Sequence, residues 1–226
     1  MVFSISDLHL SFDQEKPMDI FGENWHNHAD KIAADWLKKV SKDDIILIPG
    51  DISWGLKLEE AITDLEFIDK LPGRKIIIKG NHDYWWSSYS KIKQLPLKTI
   101  DFIQNNSILA YGISYCGTRG WLLPEDGLLS EEDEKIYKRE LQRLELSLKR
   151  AESNHIVVLL HYPPFAKNGE ASEFVQLMMS YGVEKCVYGH IHRHFENRSF
   201  IEGIYQGIEY KLVSCDYLNF KLAQIF

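Results

Sequence analysis

The chain has 226 residues, of which 45% are hydrophobic and 26% are charged, and this balance is typical of a globular protein that buries an apolar core. The formal net charge of -7 excludes a protein that relies on general attraction to the phosphate backbone of nucleic acids. No run of about 18 apolar residues occurs, so the sequence predicts no membrane-spanning segment.

In the first half of the chain, short apolar runs rich in β-branched residues alternate with amphipathic stretches. The runs predict buried strands, and the amphipathic stretches predict helices. The predicted strands cover residues 2–6, 45–48 and 75–79, and the predicted helices cover about 27–40 and 57–70. This alternation predicts an α/β fold with parallel strands, in which ligands bind beyond the carboxyl ends of the strands.

The second half continues with strands, helices and a polar–apolar alternation near the end. A helix opens with a capping motif at Ser130 and runs to about residue 151. Residues 203–226 alternate enough for two or three antiparallel strands, and no linker interrupts the chain, so we predict one domain over residues 1–226. The other predicted strands are 100–103, 107–111, 113–116, 155–160 and 185–188, with a helix over 171–180.

Possible metal ligands follow five of the predicted strands. Taken alone, each motif has an ordinary explanation, such as a surface pair or a turn. Chance assembly of all five, each directly after an apolar run, is implausible. The motifs are Asp7-Leu8-His9, Gly50-Asp51, Gly80-Asn81-His82-Asp83, His161-Tyr162-Pro163-Pro164 and Gly189-His190-Ile191-His192.

The spacing within the first and last motifs favours a shared site. Residues two apart in an extended segment project to the same side, so Asp7 with His9, and His190 with His192, can each point into one site. Carboxylate and imidazole together suit manganese, iron or zinc better than magnesium or calcium.

The middle motifs add oxygen ligands of two kinds. The two carboxylate oxygens of Asp51 could bridge two ions, and Asn81 offers a neutral carbonyl oxygen. We expect Gly80 and Gly189 to loosen the chain just before the ligands.

These motifs, in this order, resemble those of the calcineurin-like metallophosphoesterases, and the resemblance extends from Asp7 to His192. It implies a four-layer α/β/β/α sandwich with a dinuclear metal centre at the strand ends. We predict that the two divalent ions are manganese or iron, with zinc as an alternative. His82 matches the catalytic histidine of the family. The resemblance implies one metal held by Asp7, His9, Asp51 and His192, and a second held by Asp51, Asn81, His161 and His190, with Asp51 bridging.

The chemistry implied by the resemblance is hydrolysis of a phosphate ester. Two divalent ions bring more positive charge than Asp7 and Asp51 remove, so the site would attract a phosphate ester despite the acidic chain. A hydroxide bound between the ions would attack phosphorus. His82 would then protonate the leaving oxygen.

Departures from the family pattern narrow the substrate. Gly50-Asp51 continues as Ile52-Ser53-Trp54-Gly55, without the second aspartate and the arginine of the Ser/Thr protein phosphatases, so a protein phosphatase is disfavoured. We predict a small-molecule substrate, a phosphodiester or nucleotide-type ester. A phosphomonoesterase acting on a small metabolite, a non-catalytic protein-binding scaffold and a zinc-dependent amidase remain alternatives.

Aromatic and basic residues near the motifs are candidates for substrate contacts. Trp54 and Trp85 could form a platform for a flat group, or they could pack beneath the loops and seal the fold. Arg119 could clamp a phosphate or form a structural ion pair. His26 and His28 could contact the substrate, although exposed loop histidines are the commoner case.

The cysteines bear on the compartment. Cys116, Cys186 and Cys215 show no C-x-x-C spacing and no pairable framework. We therefore predict a reducing, cytoplasmic location, and the sequence does not indicate an oligomeric state.

Overall fold

Two β-sheets are present in the structure, a computed structural model that describes residues 1–14, 16–123, 129–166, 168–192 and 201–226. The first sheet has the strand order β11-β1-β2-β3-β4, and β1 to β4 are parallel, whereas β11 lies antiparallel to β1. Its strands are β1 (Val2–Ser4), β2 (Ile45–Ile48), β3 (Arg74–Ile77), β4 (Ile100–Phe102) and β11 (Ala223–Gln224).

The second sheet has six strands in the order β5-β6-β7-β8-β10-β9. Its four central strands are parallel, and each edge strand is antiparallel to its neighbour. The strands are β5 (Ile108–Ala110), β6 (Ile113–Thr118), β7 (Ile156–Leu160), β8 (Lys185–Tyr188), β9 (Gly203–Tyr205) and β10 (Ile208–Leu212).

Five α-helices and three short 3-10 helices complete the described elements. The 3-10 helices are Met18–Phe21, Glu23–Trp25 and Leu58–Ala61. The α-helices are α1 (His28–Lys39), α2 (Ile62–Lys70), α3 (Tyr89–Ile92), α4 (Glu131–Leu148) and α5 (Glu173–Ser180).

The alternation of side chains along the strands explains the layers. In β2, Ile45 and Leu47 belong to an apolar cluster shared by both sheets, whereas Ile46 and Ile48 belong to the cluster that includes α1 and α2. In β7, the odd-numbered residues face the same central cluster, and the even-numbered ones pack with α4 and α5. Because each sheet is covered on both faces, strands such as β2 and β7 are apolar at every position, and the predicted four-layer α/β/β/α sandwich is confirmed.

Some predicted boundaries and one pairing differ from the structure. The helix predicted over 57–70 is divided between the 3-10 helix Leu58–Ala61 and α2. The antiparallel prediction for the tail holds for β9 with β10 and for β11 with β1, but it is wrong for β10 with β8, which pair in parallel. Alternation in a sequence identifies a strand but not its partner.

Two further predictions concern the start of α4 and the bilayer. Ser130 caps α4, since its side chain accepts a hydrogen bond from the Asp133 backbone N–H at 3.1 Å. Among the described residues, no helix combines the length and the apolar character that crossing a bilayer requires. The assignment of residues 1–226 to one domain stays a prediction.

Candidate metal centre

The structure brings all of the predicted metal ligands to one end of the sandwich. Asp7, His9, Asp51 and Asn81 come from loops that follow β1, β2 and β3 of the first sheet, and His161, His190 and His192 come from loops that follow β7 and β8 of the second. The carboxyl ends of parallel strands meet at a sheet edge, which is why motifs far apart in the chain converge there.

One group of ligand atoms surrounds the Nε2 atom of His192. This atom lies 3.4 Å from His9 Nε2 and 3.8 Å from Asp7 Oδ1. His9 Nε2 is in turn 3.7 Å from Asp51 Oδ2. Asp7, His9 and His192 each offer a ligand atom within 4.8 Å of the others, which is close enough for them to share one ion.

A second group lies around the Nε2 atom of His161. The ring donates its Nδ1 hydrogen to the Pro49 carbonyl at 3.0 Å, so Nε2 of the neutral ring carries a lone pair. That atom is 2.6 Å from Asn81 Oδ1 and 3.5 Å from Asp51 Oδ2, and His190 Nδ1 is 3.0 Å from the same Asn81 oxygen. The Nε2 lone pair of His161 and the oxygens of Asn81 and Asp51 are acceptors that lie close enough to share a cation.

Burial and charge at the centre also fit a cation. Burial lowers the pKa of His161 to about 4. Burial lowers the pKa of His9 well below its usual value, and repulsion from the charge of His192 is the next largest cause. Burial also raises the pKa of Asp51 well above its usual value, and the negative charge of Asp7 adds to this. Neutral imidazoles beside crowded, desolvated carboxylates form a donor set that divalent ions stabilise.

Several candidate ligands have unusual backbone conformations. Asp7, His9, Asp51 and His190 have φ angles of 57°, 45°, 54° and 69°. Such left-handed conformations are uncommon outside glycine and persist only where the surrounding structure enforces them. The loops therefore maintain the side-chain directions at some conformational cost.

The two glycines that precede ligands serve a different purpose from the flexibility we expected. A Cβ atom at Gly80 would collide with the backbone and carboxyl group of Asp51, and a Cβ at Gly189 would collide with Ser6 Oγ and with the Asp7 carboxyl group. Neither glycine has a positive φ. They are needed because neighbouring loops approach each other closely.

Asp7 links the two sheets through hydrogen bonds. Its carboxylate accepts the His190 backbone N–H at 3.0 and 3.1 Å and the Ser6 hydroxyl at 2.5 Å. The thiol of Cys215 lies 3.0 Å from the Asp7 carbonyl oxygen. The first candidate ligand is thus oriented by loops from both sheets.

Asp83 is not a candidate metal ligand, but it holds two of the loops that carry candidate ligands. Burial raises the pKa of its fully buried carboxyl group, and hydrogen bonds partly offset this. Its two oxygens accept five N–H groups: those of Gly80 (2.7 Å), Asp51 (2.9 Å), Ile52 (2.8 Å) and Ser53 (3.2 Å), and the Trp85 indole (2.9 Å).

Asp216 is a second residue whose role the sequence did not indicate, because it belongs to no motif. The His192 ring donates its Nδ1 hydrogen to Asp216 Oδ1 at 3.0 Å, so Nε2 of His192 faces His9 and Asp7. Burial alone would lower the pKa of His192, but the hydrogen bond to Asp216 and the charge of Asp7 outweigh it, and the pKa is raised. A carboxylate behind a histidine ligand is a common way to fix its orientation.

His82 lies beside the candidate ligands. Its backbone N–H donates to Asp51 Oδ1 at 2.8 Å, and its ring centroid is 5.6 Å from that of His9 and 4.6 Å from that of Trp54. Burial lowers the pKa of the His82 ring, and His161 adds to the effect. The ring therefore lies next to the candidate ligand His9 and lines the same cleft.

Trp54 contacts the site but is not an open stacking platform. Its indole stacks on His9 with centroids 4.9 Å apart and planes inclined by 24°, and the Lys16 ammonium lies 4.6 Å from the ring centroid. Its Nε1–H donates to Met18 Sδ at 3.2 Å. A flat substrate group would have to displace Lys16 to stack here.

The structure does not support the predicted substrate contact of Trp85. The side chain is only 2% exposed, its indole N–H donates to Asp83, and its ring packs against that of Trp86 at 5.2 Å. The alternative fits instead, in which this indole packs beneath the loops and seals the fold.

Arg119 lies in a neighbouring cleft. Its guanidinium is 3.4 Å from the Glu140 carboxylate and 4.3 Å from the centroid of the Trp121 ring. With Lys79 and Arg143 it lines a cleft of about 190 Å³, whereas it does not line the cleft at the candidate metal centre. The structure therefore favours the structural ion pair over the predicted phosphate clamp.

The two histidines after the first motif differ in their surroundings. His26 is exposed. The His28 Nε2–H donates to the Leu8 carbonyl at 3.0 Å, and the ring packs edge-on against Trp25. Both positions favour structural or solvent-facing roles.

A cleft of about 450 Å³ opens directly onto the candidate metal centre. Its polar lining consists of His9, Asp51, His82, His190, His192 and Asp216, and its apolar lining consists of Met18, Phe21, Trp25 and Trp54. The candidate catalytic histidine and several candidate ligands thus share one cleft.

Known proteins resemble this chain in sequence and in fold. The sequence profile of the family described as calcineurin-like phosphoesterase matches residues 2–194. A segment of 78 residues is 37% identical to the gene 66 protein of Mycobacterium phage L5, and it covers 34% of this chain and only 37% of the phage protein.

Two solved structures share the fold. A protein of unknown function from Aquifex aeolicus, AQ665, superposes with a TM-score of 0.53 at 18% identity and covers 98% of this chain and 94% of its own. The phosphopantetheinyl hydrolase PptH from Mycobacterium tuberculosis superposes with a TM-score of 0.57 at 14% identity. The superposition covers 94% of this chain and 88% of the PptH chain.

Proposed function

The chain belongs to the calcineurin-like phosphoesterase family, and we propose that it is a metal-dependent phosphoesterase that prefers a phosphodiester or nucleotide-type substrate. One observation carries the metal-dependent part. With Nδ1–H donated to the Pro49 carbonyl, the neutral His161 ring directs its Nε2 lone pair toward Asn81 Oδ1 at 2.6 Å and Asp51 Oδ2 at 3.5 Å, so three acceptor atoms face one another. A divalent cation resolves this conflict between acceptors.

We propose that two transition-metal ions, manganese or iron with zinc as the alternative, bind at the centre. The position of Asp51 Oδ2, 3.7 Å from His9 Nε2 and 3.5 Å from His161 Nε2, supports a bridging role. Such ions would supply Lewis-acid activation of water and of the phosphoryl oxygens. One set is Asp7, His9, Asp51 and His192, and the other is Asp51, Asn81, His161 and His190.

The chain's own residues then orient and complete the reaction. The Asp51 carboxylate accepts the His82 N–H, which ties the proposed proton donor to the proposed bridging ligand. We propose that the His82 imidazole gives its proton to the leaving ester oxygen, where negative charge develops. Asp83 and Asp216 act through other residues as positioning groups.

A diester is favoured over a monoester because of the size and lining of the cleft. Its volume of about 450 Å³ exceeds what a phosphoryl group alone requires, so it leaves room for two ester substituents. A phosphomonoesterase acting on a small metabolite remains the alternative within this class. A binding scaffold without catalysis is disfavoured, because several candidate ligands and His82 line one cleft. The name of the mycobacterial neighbour makes phosphopantetheinyl esters worth testing.

The test is hydrolysis after reconstitution with manganese, iron or zinc. We expect kcat/KM for bis(p-nitrophenyl) phosphate to equal or exceed that for p-nitrophenyl phosphate, and nucleotides, cyclic nucleotides and phosphopantetheinyl esters would follow. A 100-fold preference for the monoester would establish the phosphatase alternative. If no ester is hydrolysed with any of the metals, the non-catalytic binding scaffold becomes the supported alternative.

A matched pair of variants tests the bridging assignment. Asp51→Asn should lower the occupancy of both sites, because it removes the shared carboxylate. Asp43→Asn removes the same charge from an exposed position and should leave both sites filled. Elemental analysis that finds two ions per chain in Asp51→Asn would refute the bridge.

We also propose that the protein acts in the cytoplasm. Cys116, Cys186 and Cys215 are buried free thiols in the structure, which is the usual state in a reducing compartment. Fractionation of the native cells, with detection of the protein outside the cytosolic fraction, would contradict this location.

A further inference from the structure

We infer that the ester substrate carries an uncharged apolar group, which binds against the apolar side of the cleft at the candidate metal centre. We call this side the apolar wall and define it as Met18, Phe21, Trp25 and Trp54. The inference rests on the proposed function, because it names the substrate class of the same site. It keeps the phosphodiester part of that proposal and replaces the nucleotide-type part, since nucleotides and sugar phosphates become poor substrates.

The wall is a built part of the fold. The 3-10 helix Met18–Phe21 supplies Met18 and Phe21, and the next 3-10 helix, Glu23–Trp25, supplies Trp25. Met18 and Trp25 are 6% and 2% exposed, so they form a fixed backing. The hydrogen bond of 3.2 Å from Trp54 Nε1 to Met18 Sδ joins Trp54, which follows β2, to the part of the wall formed by residues 18–25.

The wall adjoins the candidate ligands directly. The Trp25 ring centroid lies 5.8 Å from that of His192 and 6.1 Å from that of His9, and Trp54 stacks on His9. A phosphoryl group held at the centre would therefore place one of its substituents against these side chains.

The polar groups of the cleft are the ones proposed to bind the metal ions, to donate the proton or to orient His192. Among the described residues that line it, the polar ones are candidate metal ligands, His82 and Asp216, and Asp216 accepts the His192 N–H. Beyond these, the described lining offers only the indole N–H of Trp25 and that of Trp54, which donates to Met18 Sδ, so no side-chain acceptor and no cation is left for a ribose, a base edge or a second phosphate. Specificity for polar groups requires placed partners, and the described lining does not supply them.

Phe21 is the member of the wall that a ligand can cover. Its side chain is 51% exposed, and Ile20 beside it is 73% exposed. A single exposed apolar side chain is ordinary, but here two adjacent ones are exposed on a turn that lines the cleft. Burial of the ligand's alkyl groups against Phe21 should strengthen binding about two- to fourfold per methylene.

The test measures binding rather than turnover. Methyl-, propyl- and butylphosphonate carry the same acidic group, and their affinity for the manganese-reconstituted protein is measured by isothermal titration calorimetry. We expect an increase of about tenfold or more from methyl to butyl. Phosphonopropionate, which ends in a carboxylate, should gain nothing over methylphosphonate.

Two phenylalanines provide the variant and its control. Phe21→Ala should reduce the methyl-to-butyl gain to less than about threefold. Phe12→Ala should retain the full gain, because Phe12 is 49% exposed but packs against Phe67 and does not line the cleft. Both side chains are half exposed, so neither truncation should prevent folding.

Several results would overturn the inference. One is an affinity for the alkylphosphonates that does not depend on chain length, and another is a methyl-to-butyl gain in Phe21→Ala equal to that of the wild type. A third is tighter binding of phosphonopropionate than of methylphosphonate, which would indicate that its carboxylate binds Lys16 near Trp54. The outcome is separable from the proposed function. Hydrolysis without chain-length dependence refutes only the apolar wall, whereas chain-length-dependent binding without hydrolysis of any ester refutes only the proposed catalysis.

Discussion

Replacement of Asp83 by Asn should weaken both the fold and the metal centre. The Asp83 Oδ2 atom accepts the N–H groups of Gly80 and Asp51, and Oδ1 accepts those of Ile52, Ser53 and the Trp85 indole. An amide presents only one acceptor oxygen. Whichever way it turns, its NH₂ group must face at least two N–H donors.

The magnitude follows from these contacts. A hydrogen bond to a charged acceptor contributes about 1.5–3 kcal/mol, so the loss of the two bonds on Oδ2 should cost roughly 3–6 kcal/mol. The free energy of unfolding of most proteins is about 5–15 kcal/mol. The same two bonds hold the backbone of Asp51 and of the residue before Asn81, so metal affinity should fall about 10- to 100-fold.

Two measurements and one control test this. Urea unfolding of the metal-free protein gives the free energy of unfolding, and titration with manganese gives the affinity. Asp69→Asn is the control, because the Asp69 carboxylate also accepts the backbone N–H groups of Lys98 and Thr99 but does not line the cleft. It should lower stability without changing metal affinity.

The reasoning fails if Asp83→Asn binds manganese as tightly as the wild type. Should that variant be too unstable to purify, Trp85→Phe removes only the indole bond of 2.9 Å and should produce a smaller loss in both measurements. An effect of Trp85→Phe on stability alone would assign the hydrogen bonds of Asp83 a purely structural role.

Three further predictions address other residues. His82→Ala should keep its metal and lose about 10²–10⁴-fold in activity, with the smallest loss for nitrophenolate leaving groups; equal losses for all leaving groups would indicate positioning instead. Arg119→Ala and Arg143→Ala should each lower kcat/KM less than about threefold, because both guanidinium groups pair with Glu140 rather than with the substrate. A tenfold loss in Arg119→Ala alone would support a phosphate-binding role for Arg119. Burial lowers the pKa of Lys75 from 10.5 to about 8, so above that pH the folded state binds fewer protons than the unfolded state and stability rises. Relative to Lys75→Met, the wild type should gain up to about 1.4 kcal/mol per pH unit between pH 8 and 10, as measured by urea unfolding; parallel pH profiles would contradict this.

The sequence was most informative where local chemistry decides structure. The β-branched run 45–48 predicted β2 with the observed bounds, because a strand covered on both faces is apolar at every position. The positions of Asp7, Asp51 and His161 could be anticipated together, since each lies within three residues of the end of a buried strand.

It was least informative where the outcome depends on contacts between distant segments. The partners of Asp83 include backbone groups 30 to 32 residues away, and Asp216 meets His192 across 24 residues. No motif marks these pairs. For the same reason the sequence could not distinguish the buried Trp85 from the partly exposed Trp54, although both indoles follow ligand motifs.

The candidate ligands come from loops of both sheets. The Nε2 atoms of His9 and His192 are 3.4 Å apart, although 183 positions separate the two residues in the chain. Between the sheets lies an apolar cluster that includes Ile45, Ile76 and Val157, and such packing is non-directional. An ion bound by both histidines would therefore act as a cross-link between the two halves of the sandwich. By mass action, free metal at 100 times its dissociation constant would add about 2.7 kcal/mol to stability. The melting temperature would then rise with metal concentration and report occupancy without any substrate.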